Sequence, residues 1–200
     1  MSSRSLRSSK LLDVPYRKQI LANSCFPACV RMVLKFYGDD IDEKWLCKNS
    51  TLPGHKGCWD VKIGPIIIRK GYKVTSFWDG SIKDWNPDNE LIKTHQKEYK
   101  RALSIGLKHK KNATISLIKK FIDNNTPVLT EVSADKLYKE NLGYTHMIVV
   151  VGYDKNNFYF HDPDKIHGGK NKKILFSKFR KAWEKISSNS GRSMTVIEKR

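Results

Sequence analysis

Long apolar runs are missing from this chain of 200 residues. The longest, Met147–Val151 extended by Gly152, has the length of a buried strand and falls far short of the ~18 residues of a membrane-spanning helix. No transmembrane segment is therefore expected. The amino-terminal stretch MSSRSLRSSKLL is positively charged but has no apolar segment behind it, so it does not read as a secretory signal and a cytoplasmic protein is expected. Cysteine is scarce, with only Cys25, Cys29, Cys47 and Cys58. Reduced thiols are then the default, and a chain of this length needs no disulfide framework. Cys47, His55 and Cys58 are spaced C-x7-H-x2-C, without the paired C-x2-C knuckles of a structural zinc site, so neither metal nor cofactor is expected. Acidic residues are also few: 20 Asp and Glu stand against 38 Lys and Arg, a formal charge of +18. Such a surplus attracts polyanions. The lysines spread from Lys10 to Lys199 with no zinc finger, no RNP-like aromatic strand and no recognition helix. The charge thus admits nucleic acid as a partner, and no motif supports it.

What is present argues for one packed domain. Hydrophobic residues make up 39% of the chain, with eight Phe, eight Tyr and five Trp, enough for a single core at this length. Residues 1–10 read as a basic, Ser-rich disordered tail, and residues 11–200 as one domain, expected to be a monomer. Leu12–Tyr16 reads as a short extended entry. From Cys25 to Tyr37 the positions Ala28, Val30, Met32, Val33, Leu34 and Phe36 form a helical stripe, with Pro27 in the first turn and Gly38 just past the end, as helix ends favour. Shorter helices are expected over Asp42–Cys47 and Trp59–Lys70, then a strand over Tyr72–Phe77. Residues 79–112 are polar and suggest one or two surface helices. A helix opening at Asn112 or Thr114 carries Ile115, Ile118, Phe121 and Ile122 on one face and stops at Thr126-Pro127. Strands follow over Val128–Val132, His146–Tyr153 and Phe158–His161, the last two joined across Asp154–Asn157. A helix over Phe176–Ile186 and a strand over Met194–Ile197 close the chain. Helices first and antiparallel strands second make the class α+β.

Cys25 opens the first helix. A helix N-terminus offers positive potential that favours a thiolate, and a neighbouring histidine can accept the thiol proton. A lone cysteine in a core helix is more often inert, and Cys29, one turn deeper, fits that description better. His146 heads an apolar strand, where a histidine is either a packed core residue or a base held at the rim of a cleft. Asp162 follows at the end of the return strand, in HDPD; a hairpin can bring it beside His146, although an aspartate before proline is also an ordinary turn residue. The order Cys, His, acid allows the acid to orient the imidazole. Gln19 precedes Cys25 by six positions and could donate to a developing oxyanion together with the Cys25 N–H; alone it would pass for a surface residue.

Taken together these segments resemble a known family. VPYRKQILANSCFPACVRMVLKFYG is similar to the start of the double-glycine leader (bacteriocin-processing) peptidases, family thirty-nine of the cysteine peptidases, and of their stand-alone relatives. THMIVVVGYDKNNFYFHDPD resembles the family's histidine strand, turn and Asp-Pro motif, and the T-P-V-L segment and the F-S-K-F-R-K-A-W helix agree in order over about residues 13–185. The resemblance implies a papain-like α+β fold with the nucleophile helix packed on an antiparallel sheet. It also implies a nucleophile at Cys25, a base at His146, an orienting acid at Asp162 and an oxyanion glutamine at Gln19. The expected activity is a cysteine peptidase or amidase acting on a peptide or protein through a thioester. A papain-like acyltransferase and a non-catalytic peptide-binding module are the alternatives; a degenerate module would be expected to lose the cysteine, which this chain keeps. One position departs from the family: Phe26 stands where glycine usually follows the nucleophile, which is expected either to narrow the cleft or to shift the backbone amide. Residues 79–112 match nothing in the family, and the membrane spans and nucleotide-binding domain of a whole exporter are absent from these 200 residues.

Overall fold

The apolar run at 147–151 forms the middle of a mainly antiparallel sheet. The computed structural model describes residues 9–52, 57–79, 89–184 and 191–200, so the basic stretch 1–8, His55, the segment 80–88 and the expected end of the last helix at Ile186 lie outside the described residues. Strand β5 (Thr145–Tyr153) is buried along its whole length after Thr145. It pairs antiparallel with β4 (Val128–Ser133) on one side and with β6 (Asn157–Asp162) on the other. The connecting turn holds itself together: Asp154 Oδ1 accepts from the N–H groups of Asn156 and Asn157 at 2.9 and 2.8 Å. Such Asx contacts substitute for backbone partners in tight turns.

A β-bulge between β5 and β6 decides which side chains meet. Val149 pairs with His161 and Val150 with Phe160, but Gly152 pairs with Tyr159, so Val151 is an extra residue. Opposed residues point to the same face, and a slip of one position moves a side chain to the other face. Past the bulge, the register sets Asp162 opposite Ile148, on the same face as His146 and one diagonal step from it. Without the extra residue Asp162 would fall opposite Val149, on the far face.

The sheet runs β3 (Lys108–Lys110), β2 (Tyr72–Trp78), β8 (Ser193–Lys199), β4, β5, β6 and β7 (Gly169–Leu175). The final strand β8 lies between β2 and β4, antiparallel to both, because Met194, Val196 and Ile197 are buried and complete the core there. Strand β3 pairs parallel with β2, a short exception at the sheet edge. Strand β7 forms the opposite edge. Strand β1 (Lys10–Leu11) pairs with the end of β5; a Cβ on Gly152 would come within 2.5 Å of the Lys10 carbonyl oxygen, so a side chain there would push β1 away. The expected extended entry continues over the sheet edge, with Leu12 N–H donating to Val151 O at 2.8 Å and His161 Nε2 donating to Val14 O at 2.7 Å.

Helix α1 (Cys25–Phe36) packs against β5. Ala28, Cys29, Val30, Met32, Val33 and Leu34 are fully buried on it. Burial of each large aliphatic side chain is worth roughly 1.5–3 kcal/mol, which outweighs the low helix propensity of the two valines. The helix ends where Gly38 takes φ +91°, a backbone region open to glycine. Helices α2 (Glu43–Ser50), capped by Asp42 at 2.6 Å from Trp45 N, and α3 (Asp60–Arg69) follow. The polar region 79–112 contains one long helix, α4 (Glu90–Ile105), capped by Asn89, and ends in β3. Thr114 caps α5 (Ile115–Asp123). A five-residue helix, α6 (Ala134–Tyr138), was not legible in the sequence; α7 (Phe176–Glu184) was. Replacing Leu34 with alanine should destabilise the fold by about 2–5 kcal/mol, read as a lowered urea midpoint with an unchanged slope. An unaltered midpoint would show that α1 is not anchored through this face.

Candidate functional site

The entry segment brings Gln19 to the end of β6. Tyr16 OH donates to the Asp162 carbonyl at 3.2 Å, and Gln19 N–H donates to Pro163 O at 2.8 Å. The chain then turns through residues 20–24 into α1. This turn is organised by Glu43, the first residue of α2, whose side chain is fully buried. Its Oε1 accepts from Ile20 N–H at 2.6 Å and from Ser24 Oγ at 2.6 Å. Ser24 Oγ in turn accepts from Leu21 N–H at 3.0 Å. A carboxylate buried this deeply is costly unless it is hydrogen-bonded, so these contacts hold the turn in one shape. Nothing in the sequence distinguishes Glu43 from an exposed acid at a helix start.

Cys25 is the first residue of α1, after Ser24 as N-cap. The first backbone bond of the helix runs from Ala28 N–H to Ser24 O at 2.9 Å, and Pro27 has no N–H. The N–H groups of Cys25 and Phe26 therefore have no intrahelical acceptor. Gln19 is 5% exposed; its Nε2 donates one hydrogen to Ala22 O at 2.8 Å, leaving the second N–H of the amide. Gln19 Oε1 is buried without a hydrogen-bond partner among the described residues.

His146 is 3% exposed and Asp162 fully buried, with Nε2 and Oδ1 2.8 Å apart. The other ring nitrogen, Nδ1, is not used by Asp162, and Cys25 and His146 line the same cavity. Burial works against a charged imidazole here, yet the hydrogen bonds to Asp162 and to Cys25 outweigh it and hold the His146 pKa up at about 9. Asp162 is stabilised as an anion: burial would raise its pKa, but the hydrogen bond and charge of His146, then Asp164 N–H at 3.0 Å and Lys172, bring it below the usual value. Tyr138, on α6, donates its hydroxyl to Oδ2 at 3.0 Å, and Lys172 Nζ stands 3.4 Å from the same oxygen. Four groups thus converge on one carboxylate. Tyr138 lies eight positions before His146 on a helix invisible to periodicity, and Lys172 on an edge strand, so sequence order carries no sign of either.

Gln19, Cys25, Phe26 and His146 line one end of a cavity of about 530 Å³, with Asp162 behind the histidine. Phe26 is buried and forms part of both the cavity wall and the core. The other cysteines differ from Cys25. Cys29 is fully buried, with its thiol donating to Met147 O at 3.3 Å, and burial pushes its pKa well up. Cys47 and Cys58 approach to 3.1 Å as free thiols, and burial pushes Cys58 up to about 12. His55, the third member of their weak spacing, is outside the described residues. No helix among the described residues is long and apolar enough to cross a membrane.

The model of the Peptidase_C39 like family matches residues 11–191. Among solved structures, the chain is similar to the peptidase domain of Streptococcus ComA, a bi-functional ABC transporter involved in a quorum-sensing pathway. The two share 16% identity with a TM-score of 0.53, over 92% of this chain and 97% of that one. It is similar to a double-glycine motif protease from an AMS/PCAT transporter in complex with the leader peptide (14% identity, TM-score 0.54, 95% of this chain and 94% of that one). It is also similar to xylellain, a cysteine protease from Xylella fastidiosa (13% identity, TM-score 0.57, 98% and 87%). At such identities the likeness concerns the fold. No curated protein sequence matches the chain.

Two outcomes follow from the geometry. Iodoacetamide at neutral pH should alkylate Cys25 ahead of Cys29, Cys47 and Cys58, resolved by peptide mapping; uniform labelling would show that Cys25 has no special environment. His146 is raised from 6.5 to about 9 on folding. Its charge therefore stabilises the native state fully below pH 6.5, and that contribution is lost as pH rises through about 9. The depressed pKa of Asp162 gives a contribution that is present at neutral pH and lost as acid protonates the carboxylate. The stability gap between wild type and His146→Gln should accordingly close on going from pH 6 to pH 10 in urea titrations. A constant gap would mean that His146 folds as a neutral ring.

Proposed function

Since the chain belongs to the Peptidase_C39 like family and has a papain-like cysteine protease fold, we propose that it is a cysteine peptidase or amidase that uses Cys25, His146, Asp162 and Gln19. The observation that carries this reading is the buried 2.8 Å contact between His146 and Asp162, with Cys25 and His146 lining the same cavity. Residues 11–200 act as one peptidase-like domain, a reading supported by the single sheet that runs from β1 to β8.

The Cys25 thiolate attacks the scissile carbonyl carbon, and the resulting oxyanion takes hydrogen bonds from the Cys25 N–H at the head of α1 and from the second N–H of Gln19 Nε2. Donors held in place before reaction stabilise charge that develops only in the transition state. The His146 imidazolium gives its proton to the leaving amine as the C–N bond breaks, and a thioester on Cys25 remains. Water then attacks the thioester, His146 takes its proton, and the acid and the free thiol are released. Asp162 keeps the imidazole in the orientation in which Nδ1 faces the sulfur. Tyr138 and Lys172 hold Asp162, and Glu43 holds the turn between Gln19 and Cys25. Phe26 narrows the approach to the thiol. An amine in place of water would make the same thioester an acyl donor, so the product mixture separates hydrolysis from transfer.

Incubation with a peptide library, with new termini read by mass spectrometry, should show cleavage by wild type and none by Cys25→Ala. Gln19→Ala should slow acylation by about 10²-fold or more. Asp162→Asn should fold and also lose most of its turnover. Cleavage that persists in Cys25→Ala would remove the cysteine mechanism; a silent Gln19→Ala in an active enzyme would take the glutamine out of the oxyanion site.

A further inference from the structure

The cavity that begins at Cys25 continues away from the catalytic groups into a chamber of different character. Its far wall is a run of rings, each touching the next. Trp59 meets His95 at 4.9 Å between centroids, His95 stacks on Tyr99 at 6.4 Å, Tyr99 meets His109 at 5.9 Å, and His109 meets Trp78 at 6.3 Å. All five line the cavity, together with the carboxylates of Asp60 and Glu131. Asp60 opens α3, where Oδ1 accepts from Val61 N–H at 2.8 Å and Oδ2 from Ser76 Oγ at 3.0 Å. Neither Asp60 nor Glu131 forms an ion pair with a lysine or arginine among the described residues.

This composition is opposite to that of the rest of the molecule. The chain has 38 Lys and Arg, yet the described lining contains none, while Asp60, Glu131 and, at the mouth, Asp164 are all acidic. Burial lowers the pKa of His95 and of His109, the latter also under the influence of Lys111, although Asp60 pulls both upward. The two imidazoles are thereby kept neutral at pH 7 and leave the carboxylates uncompensated. Burial raises Tyr99 and Glu131, the latter against a hydrogen bond from Thr145, and the charge of Asp60 adds to both in the same direction. A cation placed in the chamber would favour the ionised form of Glu131. Aromatic faces attract cations as well. The fixed surplus charge of the surface is screened beyond ~8 Å at physiological ionic strength, so the nearest groups decide what the chamber accepts. The catalytic end of the same cavity adds a second sign of a ligand: the buried Gln19 Oε1, an acceptor without a donor, suits an N–H of a bound peptide.

We propose that this chamber is a specificity pocket for a cationic side chain, lysine or arginine, close to the bond that Cys25 attacks, with Asp60 and Glu131 as counter-ions and Trp59, Trp78 and Tyr99 as its walls. The inference rests on the peptidase reading above and narrows its substrate to peptides with a basic residue beside the scissile bond. A pocket lined by carboxylates that exchange water for an ammonium or guanidinium rejects the uncharged isostere because the carboxylates would then be enclosed without a counter-charge.

The test uses a proteome-derived peptide library, then synthetic peptides carrying lysine, norleucine or glutamate at the enriched position. Wild type should favour lysine over norleucine by about tenfold or more in kcat/KM, with glutamate poorer still. Asp60→Asn should bring the lysine-to-norleucine ratio towards one, and Glu131→Gln, on a different element, should lower it in the same sense if Asp60→Asn fails to fold. Cleavage sites without basic enrichment, or a ratio unmoved in a folded variant, would overturn the pocket while leaving the peptidase reading intact. If wild type cleaves nothing, the peptidase reading fails by itself. Fluorescence anisotropy of labelled lysine and norleucine peptides with Cys25→Ala then decides the pocket: selective binding of lysine upholds it, and equal binding overturns it.

Discussion

The extra residue at Val151 is the constraint on which the arrangement of the site depends. His146 and Asp162 belong to adjacent strands, and adjacency does not ensure contact, because side chains alternate between faces. Only the register past the bulge sets both on one side of the sheet. Everything built around Asp162 inherits this choice: the hydroxyl of Tyr138, the ammonium of Lys172 and the N–H of Asp164 converge on a carboxylate whose position is set two pairs away. The bulge is held in turn by its surroundings, since Gly152 lets β1 approach within a distance that a Cβ would forbid.

Around this anchor the fold keeps two carboxylates out of water by hydrogen bonding them. Asp162 is offset by four donors, and Glu43 Oε1 by the Ile20 N–H and the Ser24 hydroxyl, while Glu43 Oε2 has no partner among the described residues. Pairing of this kind adds little net stability, because desolvation consumes most of the attraction, but removing one partner strands the other and is costly. The consequence is definition of shape. The turn from Gln19 to Cys25 is pinned by a carboxylate from α2 and by Pro163 just after β6, so the two proposed sources of oxyanion donors are held by different parts of the chain and meet only in the folded state.

The charge of the molecule divides in the same way. Lysines scattered over the surface keep the protein away from its isoelectric point and act at short range only. Inside the cleft the sign reverses, with aromatic rings and carboxylates in place of ammonium groups. Phe26, at the site where the family usually has glycine, is both a core residue and part of the cavity wall.

Much of this was legible in the linear pattern. The stripe from Ala28 to Phe36, the alternation at 72–77, the apolar run at 147–151 and the turn at 154–157 each state a local preference strong enough to survive folding, and the helix mouth at Cys25 follows from the stripe and Pro27. A hairpin linking His146 to Asp162 was also readable, since a short turn leaves the chain nowhere else to go. Tertiary structure alone decided the rest. The bulge at Val151 looks like any other valine in a strand; α6 is too short to show a period, and β8 is a modest apolar segment whose central place comes from the partners it finds. Glu43, Tyr138, Lys172, Asp60 and Glu131 have ordinary sequence neighbours, and their roles arise from groups far away in the chain. Local sequence determines the elements because backbone preference and periodicity act over a few residues, whereas the site is made where burial removes water from charges that only the assembled fold brings together.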